Sequence, residues 1–201
     1  MELKEIIQSL TADMAKHGFK KRGYLFYRIE NDVYGLIEFQ KGKYATNEQF
    51  SFTINLAVYS PYLWNFFTDP IGPFPNSGMA HWRIRPGELM SHKKADHWWQ
   101  VNNDIDTEAL IDEIRTFLID KGIPAVVAHL SEEKLYEAWK KNEYGGMTEF
   151  FMLKNLLVLM KKMNDPEFEN AVVQFKSRVK NRAEDFEEVA ATLRANKHQM
   201  D

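Results

Sequence analysis

Apolar residues Ile6, Ile7, Leu10 and Met14 recur three or four positions apart, and this spacing predicts a helix over about residues 2–17. Gly18 follows His17 where a left-handed residue ends a helix. The expected ending is a Schellman motif, with Phe19 packed on Met14. In GFKKRGYLFYR, residues 18–28, the cations Lys20, Lys21 and Arg22 then lie just past the negative end of the helix dipole. At Tyr24 the period changes to two, with Tyr24, Phe26 and Arg28 on one strand face and Leu25, Tyr27 and Ile29 on the other. A turn at Glu30, Asn31 and Asp32 leads into a second strand, VYGLIEFQK. A third, FSFTINLAVY, sends Phe50, Phe52, Ile54, Leu56 and Val58 one way. The pattern predicts an antiparallel meander with one buried face.

YLWNFF reads as a helical turn, and DPIGPFPNSGM, with three prolines and two glycines, as a loop. HWRIR and HWWQV are short strands separated by PGELMSHKKAD. Asp106 is placed to cap a helix over about residues 107–121, with Gly122 ending it and Pro124 preventing its resumption. Ser131 caps the next helix, with Leu130 and Leu135 in staple positions. Gly145 and Gly146 precede an apolar helix at about 147–163, after which Asp165 caps and Pro166 takes a first helical position. Phe168, Val172, Phe175, Val179, Arg182, Phe186, Val189 and Leu193 form a heptad seam that predicts one helix of about 28 residues. That seam packs on the preceding helix and the domain, or on a second copy in a homodimer. The fold class is α+β: an antiparallel meander sheet of about five strands flanked by helices over residues 1–128, with a C-terminal helical extension over 129–201.

With 201 residues the chain is long enough for one substantial core with an extension. The net charge of -3, from 26 basic and 29 acidic residues, gives no global field toward nucleic acid or an anionic membrane, so any anion site is local. No cysteine is present, which excludes disulfides, thiolate metal sites and a cysteine nucleophile. MELKEIIQSLTADM lacks the basic-then-apolar form of a secretory signal, so the cytoplasm is expected. FFMLKNLLVLM is interrupted by Lys154 and Asn155 and falls well short of the roughly 20 residues a membrane span needs. Neither a nucleic-acid nor a membrane partner is expected.

His81, His92 and His97 fall within seventeen residues, beside Asp96. Imidazole and carboxylate suit zinc or iron, but HxxxxH is not the i, i+4 pair of a metalloprotease helix, and no metal or other cofactor is assigned. Arg83 and Arg85 share a strand face with His81, about 6–7 Å apart, a spacing that suits a carboxylate, a phosphate or a partner's acidic side chains. Pairing with an acid such as Glu38 is the structural alternative. If HWRIR pairs with HWWQV, Trp82, Trp98 and Trp99 complete an aromatic and cationic surface. Adjacent Trp98 and Trp99 point to opposite faces, so at least one belongs to the core. No glycine-rich phosphate loop, GxSxG elbow or P-loop lysine is present, and no catalytic residue is assigned. The candidate binding residues are His81, Trp82, Arg83, Arg85, His97, Trp98 and Trp99.

GFKKRGYLFYR, LIEFQKGKY, FTINLAVYSP, HWRIRPGEL and then DHWWQV before a helix, in that order, resemble the bacterial family called domain of unknown function 4304, over about residues 1–125. The resemblance implies an α+β domain and carries no activity, substrate or catalytic residue. The proline-rich loop at 68–78 and the extension after residue 130 lie outside the family's pattern, so a function specific to this chain, if it has one, is to be sought there. The leading reading is a non-enzymatic binding module that engages a protein through residues 81–99 or the helical tail. The alternative is a small-molecule-binding protein or enzyme acting on an anionic substrate in a pocket near 68–99, using His81, His97 and the arginines.

Overall fold

The computed structural model describes residues 2–44, 49–69, 74–90 and 96–195. The first expected helix is divided into α1 (Leu3–Ser9) and α2 (Thr11–Lys16). The Ser9 and Thr11 hydroxyls donate to the Ile6 and Ile7 carbonyls at 2.7 and 3.1 Å, a back-bonding that bends helices. The ending is the Schellman motif: Gly18 has φ 79°, its N–H bonds the Ala15 carbonyl, and the Phe19 N–H bonds the Met14 carbonyl, both at 3.0 Å.

Lys20, Lys21 and Arg22 do follow the helix end, and they already belong to a strand, before the Tyr24 start that the alternation predicts. They form β1 (Lys20–Arg22), which turns at Gly23 and pairs with β2 (Leu25–Glu30). A short, lysine-bearing edge strand resists pairing with another chain, which accounts for the cations. Asn31 and Asp32, both at positive φ, make the tight turn to β3 (Val33–Lys41), which pairs with β4 (Phe50–Tyr59). Next come α3 (Pro61–Phe67), capped by the Ser60 hydroxyl, a 3₁₀ turn at Ser77–Met79, β5 (Trp82–Ile84), α4 (Pro86–Met90) and β6 (Trp99–Val101). The antiparallel sheet runs β1-β2-β3-β4-β5, with β6 also on β4. β5 lies opposite Leu56–Val58 and β6 opposite Phe50–Phe52, so the two sit end to end along β4 and do not pair with each other. The ten-residue β4 is long enough to hold both three-residue strands.

The inner sheet face carries Phe26, Ile37, Phe39 and the expected Phe50, Phe52, Ile54, Leu56 and Val58 into the main core. The outer face is buried in part as well. Leu25, Leu36, Ala57 and Tyr59 are covered by Trp64, Phe74, Met79 and Ala80 of the segment after β4. Apolar residues at outward strand positions demanded a cover, so the meander has two buried faces where one was expected.

Asp106 caps α5 (Thr107–Phe117), accepting from the Ala109 N–H at 3.1 Å. The helix does not stop at Gly122. It passes through a π-helical turn at Leu118–Gly122 directly into α6 (Ile123–Val127). Pro124 falls in the first turn of α6, where its missing N–H is tolerated, and Gly122 adopts right-handed helical angles against Leu56. Ser131 and Thr148 cap α7 (Glu132–Lys140) and α8 (Glu149–Lys162). α9 (Phe168–Arg178), a 3₁₀ turn at Lys180–Arg182 and α10 (Ala183–Ala195) replace the continuous helix expected from the heptad seam. α10 folds back along α9: Phe175 meets Phe186 at 6.2 Å, and Arg194 bonds Glu169 at 2.7 Å. The polar interruption, Arg182, falls at the bend. Phe168, Val172, Phe175, Phe186 and Leu193 are therefore buried within the chain and join the same core as the sheet. Among the described residues no helix is long and apolar enough to cross a membrane.

Candidate functional site

Strand alternation on β5 turns Trp82 and Ile84 inward and Arg83 outward, opposite Ala57. Arg85 follows the strand and lies beside Asn55 of β4. Its Nε donates to Asn55 Oδ1 at 3.2 Å, its Nη2 reaches Gln40 Oε1 at 3.4 Å, and its Nη1 bonds the Asp96 carboxylate. Asn55 is buried and donates to the same Gln40 oxygen at 3.0 Å, so two neutral amides hold the guanidinium plane. Among the described residues its one ion pair is with Asp96, whose side chain is 48% exposed. The Trp98 ring lies 5.9 Å from the guanidinium carbon. Arg83 donates to the Ser77 carbonyl at 3.4 Å and, among the described residues, forms no ion pair. Glu38, expected as a cross-strand partner for the arginines, instead accepts the Ser77 N–H at 2.9 Å.

The seven predicted residues separate into two groups. Arg83, Arg85 and Trp98 share the partly open outer face. His97 is half-buried at its edge, with its carbonyl bonded by Thr53 and its ring against Trp99 at 4.5 Å. Trp82, Trp99 and His81 are interior: Trp82 stacks on His129 at 4.1 Å, and Trp99 stacks on Phe52 at 5.5 Å and donates to Glu113. The continuous aromatic and cationic surface expected from pairing of the two short strands does not form, because those strands do not meet. Gln40 and Asn55 were not singled out from the sequence, and Asp96 was named there beside the histidines and not as the partner of Arg85. Polar residues at outward strand positions were the available signal for the first two. His92 lies outside the described residues, and among these no group of three or more histidines and acids is placed to hold a metal.

A second polar cluster lies inside. His81 Nδ1 accepts the Ser60 N–H at 3.2 Å, and Ser60 Oγ donates to Glu132 Oε1 at 2.6 Å while accepting the Leu63 N–H. Lys162 bonds Glu132 Oε2 at 2.5 Å and sits 3.9 Å from the Tyr62 ring centre. Serine, histidine and carboxylate meet here without the roles of a nucleophilic triad. The histidine faces a main-chain N–H, and the hydroxyl is buried and committed to Glu132. The cluster pins the end of β4 to α7 and α8.

Burial, reinforced by the Lys154 charge, holds His81 down to about 3. Above its unperturbed value of 6.5 the ring is neutral whether folded or unfolded. Between 6.5 and about 3, only the unfolded chain takes up the proton, so falling pH erodes stability by up to about 1.4 kcal/mol per unit from this ring. His129, also lowered by burial, acts in the same direction. Carboxylates such as Glu169, held low by Arg194, act only below their ordinary range near 4.5. His81→Asn, whose Oδ1 can accept the same Ser60 N–H, is expected to flatten the fall in urea midpoint between about pH 7 and 5; an unchanged slope would assign the fall elsewhere.

The model of the family described as domain of unknown function 4304 matches residues 10–128, a span that holds the whole sheet, Arg83, Arg85 and Trp98 and leaves α7 to α10 outside. No curated protein and no solved structure matches the chain. More than half of the chain follows the family model through every strand, and the protein belongs to the domain of unknown function 4304 family.

Proposed function

We propose that the protein is a non-enzymatic binding module whose outer sheet face takes an acidic segment of a partner protein at Arg83 and Arg85, against Trp98. One observation carries this reading: two guanidiniums share a face, and among the described residues one forms no ion pair while the other is oriented by neutral amides and ion-paired to the half-exposed Asp96 alone. An incoming acid pairs with Arg83 without breaking an ion pair, and it can replace Asp96 on an Arg85 already held in position. Such preorganisation lowers the ordering entropy that binding otherwise costs. Trp98 supplies the aromatic wall found at interaction hot spots.

The test is fluorescence anisotropy with a labelled peptide rich in Asp and Glu and carrying one aromatic residue, beside a basic peptide of equal length. The acidic peptide is expected to bind and to weaken with added salt. Arg83→Gln and Arg85→Gln should each cost roughly five- to tenfold in affinity while leaving the melting temperature within about 2 °C. Equal binding by the double variant would remove the arginines from the site.

A further inference from the structure

We infer that a cleft between α3, α8 and α10 binds a small organic carboxylate with an apolar body, its acid group seated on Lys154. This inference is independent of the outer-face reading. The cleft measures about 330 Å³, with Phe66, Phe67, Phe150 and Val189 as apolar walls and Lys154 and Arg182 as its cations. Asp185 and Glu188 also line it.

The two cations differ in what they already hold. Arg182 bonds Asp185 at 2.6 Å and lies 3.8 Å from the Phe150 ring centre, so its charge is matched. Lys154 arises in the apolar stretch of α8, is half-buried, and places Nζ 4.0 Å from the Phe67 ring centre and 5.3 Å from that of Phe151. Among the described residues it donates no hydrogen bond and forms no ion pair. An ammonium has three donors, and the ring faces offset only part of their desolvation. Burial, with the Arg182 charge second, draws the Lys154 pKa down, as expected of an ammonium that forms no ion pair among the described residues. A carboxylate supplies the missing acceptor, while the phenyl rings suit an aromatic or short aliphatic body. The volume is at the small end of ligand pockets, which favours a one-ring or short-chain acid.

Phe66 and Phe67 belong to the family-matched span, whereas Phe150, Lys154, Arg182 and Val189 lie beyond it. The cleft exists only because the helical extension docks on the domain.

Thermal shift and isothermal titration of the full chain with benzoate, phenylacetate and hexanoate, beside benzamide and hexanol, test this directly. The acids are expected to raise the melting temperature with dose and to bind tighter than the neutral controls. Lys154→Met keeps the length and packing of the side chain and should lose at least about tenfold in acid affinity. The Arg83→Gln/Arg85→Gln variant should keep it, which separates this cleft from the outer face. Acids that fail to bind at about 5 mM, neutral controls that bind equally, or a Lys154→Met protein that binds as the wild type does would each overturn the inference. If Lys154→Met does not fold, the readout is the NMR signal of ¹³C-dimethylated Lys154 in the wild-type chain. Benzoate should move that signal, and an unmoved signal overturns the inference.

Discussion

Truncating Trp82 to alanine is expected to cost about 3–5 kcal/mol, the range for removing a large aromatic from a packed core. Trp82 is 3% exposed, stacks on His129, and meets the Gly145 backbone so closely that a Cβ there would lie 3.0 Å from the indole. Gly145 adopts φ 60°, so the loop gives way to the indole by having no side chain. The stack joins β5 to the segments after α6 and α7, and its loss opens a cavity at the seam between the sheet and the extension. For a chain of this size the midpoint should fall by roughly 10 °C or more. Trp98→Ala, at a half-buried outer position, should cost less than about 1.5 kcal/mol. Similar losses in urea melts of the two variants would place Trp82 outside the core.

Glu132→Ala is the second large effect. The buried carboxylate accepts from Ser60 Oγ and Lys162 Nζ, so truncation strands an ammonium and a hydroxyl together. Breaking a buried ion pair costs about 3–5 kcal/mol, but the Lys162 side chain is 37% exposed and can turn to water, which lowers the expectation to about 2–3 kcal/mol. Glu132→Gln, which keeps an acceptor for Ser60, should cost about half as much. Replacing both partners, Glu132→Met with Lys162→Met, should recover much of the loss, since two apolar groups leave no orphan charge. A double variant as unstable as the sum of the singles would show that the pair is not coupled.

Features governed by local chemistry were legible in the sequence. Met14, Gly18 and Phe19 specify a Schellman ending within six residues, Asp106 and Ser131 cap their helices, and the alternation of β4 fixes its inner face. Features governed by distant surfaces were not. A heptad seam reads the same whether its partner is another helix or its own second half, so Phe175 and Phe186 could not reveal that α10 folds back. Pro124 reads as a stop, yet it is tolerated where a π turn opens a new first turn.

The candidate site was legible in part for the same reason. Period two correctly places Arg83 and Arg85 on one face, and it also turns Trp82 away from them. His81 shares the arginine face by alternation but is buried, because Tyr59 and Phe151 lie against its ring. Phe151 comes from α8, seventy residues along the chain, beyond the reach of local pattern. The amides that orient Arg85 come from β3 and β4, and only the strand register brings Gln40 and Asn55 beside it.

The most direct measurement is an NMR titration of the isotopically labelled protein with the acidic peptide, following the Arg83 and Arg85 Nε–H signals and the indole signals of Trp82, Trp98 and Trp99. Saturable shifts are expected at Arg83, Arg85 and Trp98, with the buried Trp82 and Trp99 unmoved. Binding whose shifts leave Arg83, Arg85 and Trp98 unmoved, or no binding of the acidic peptide at low salt, would contradict the outer-face reading.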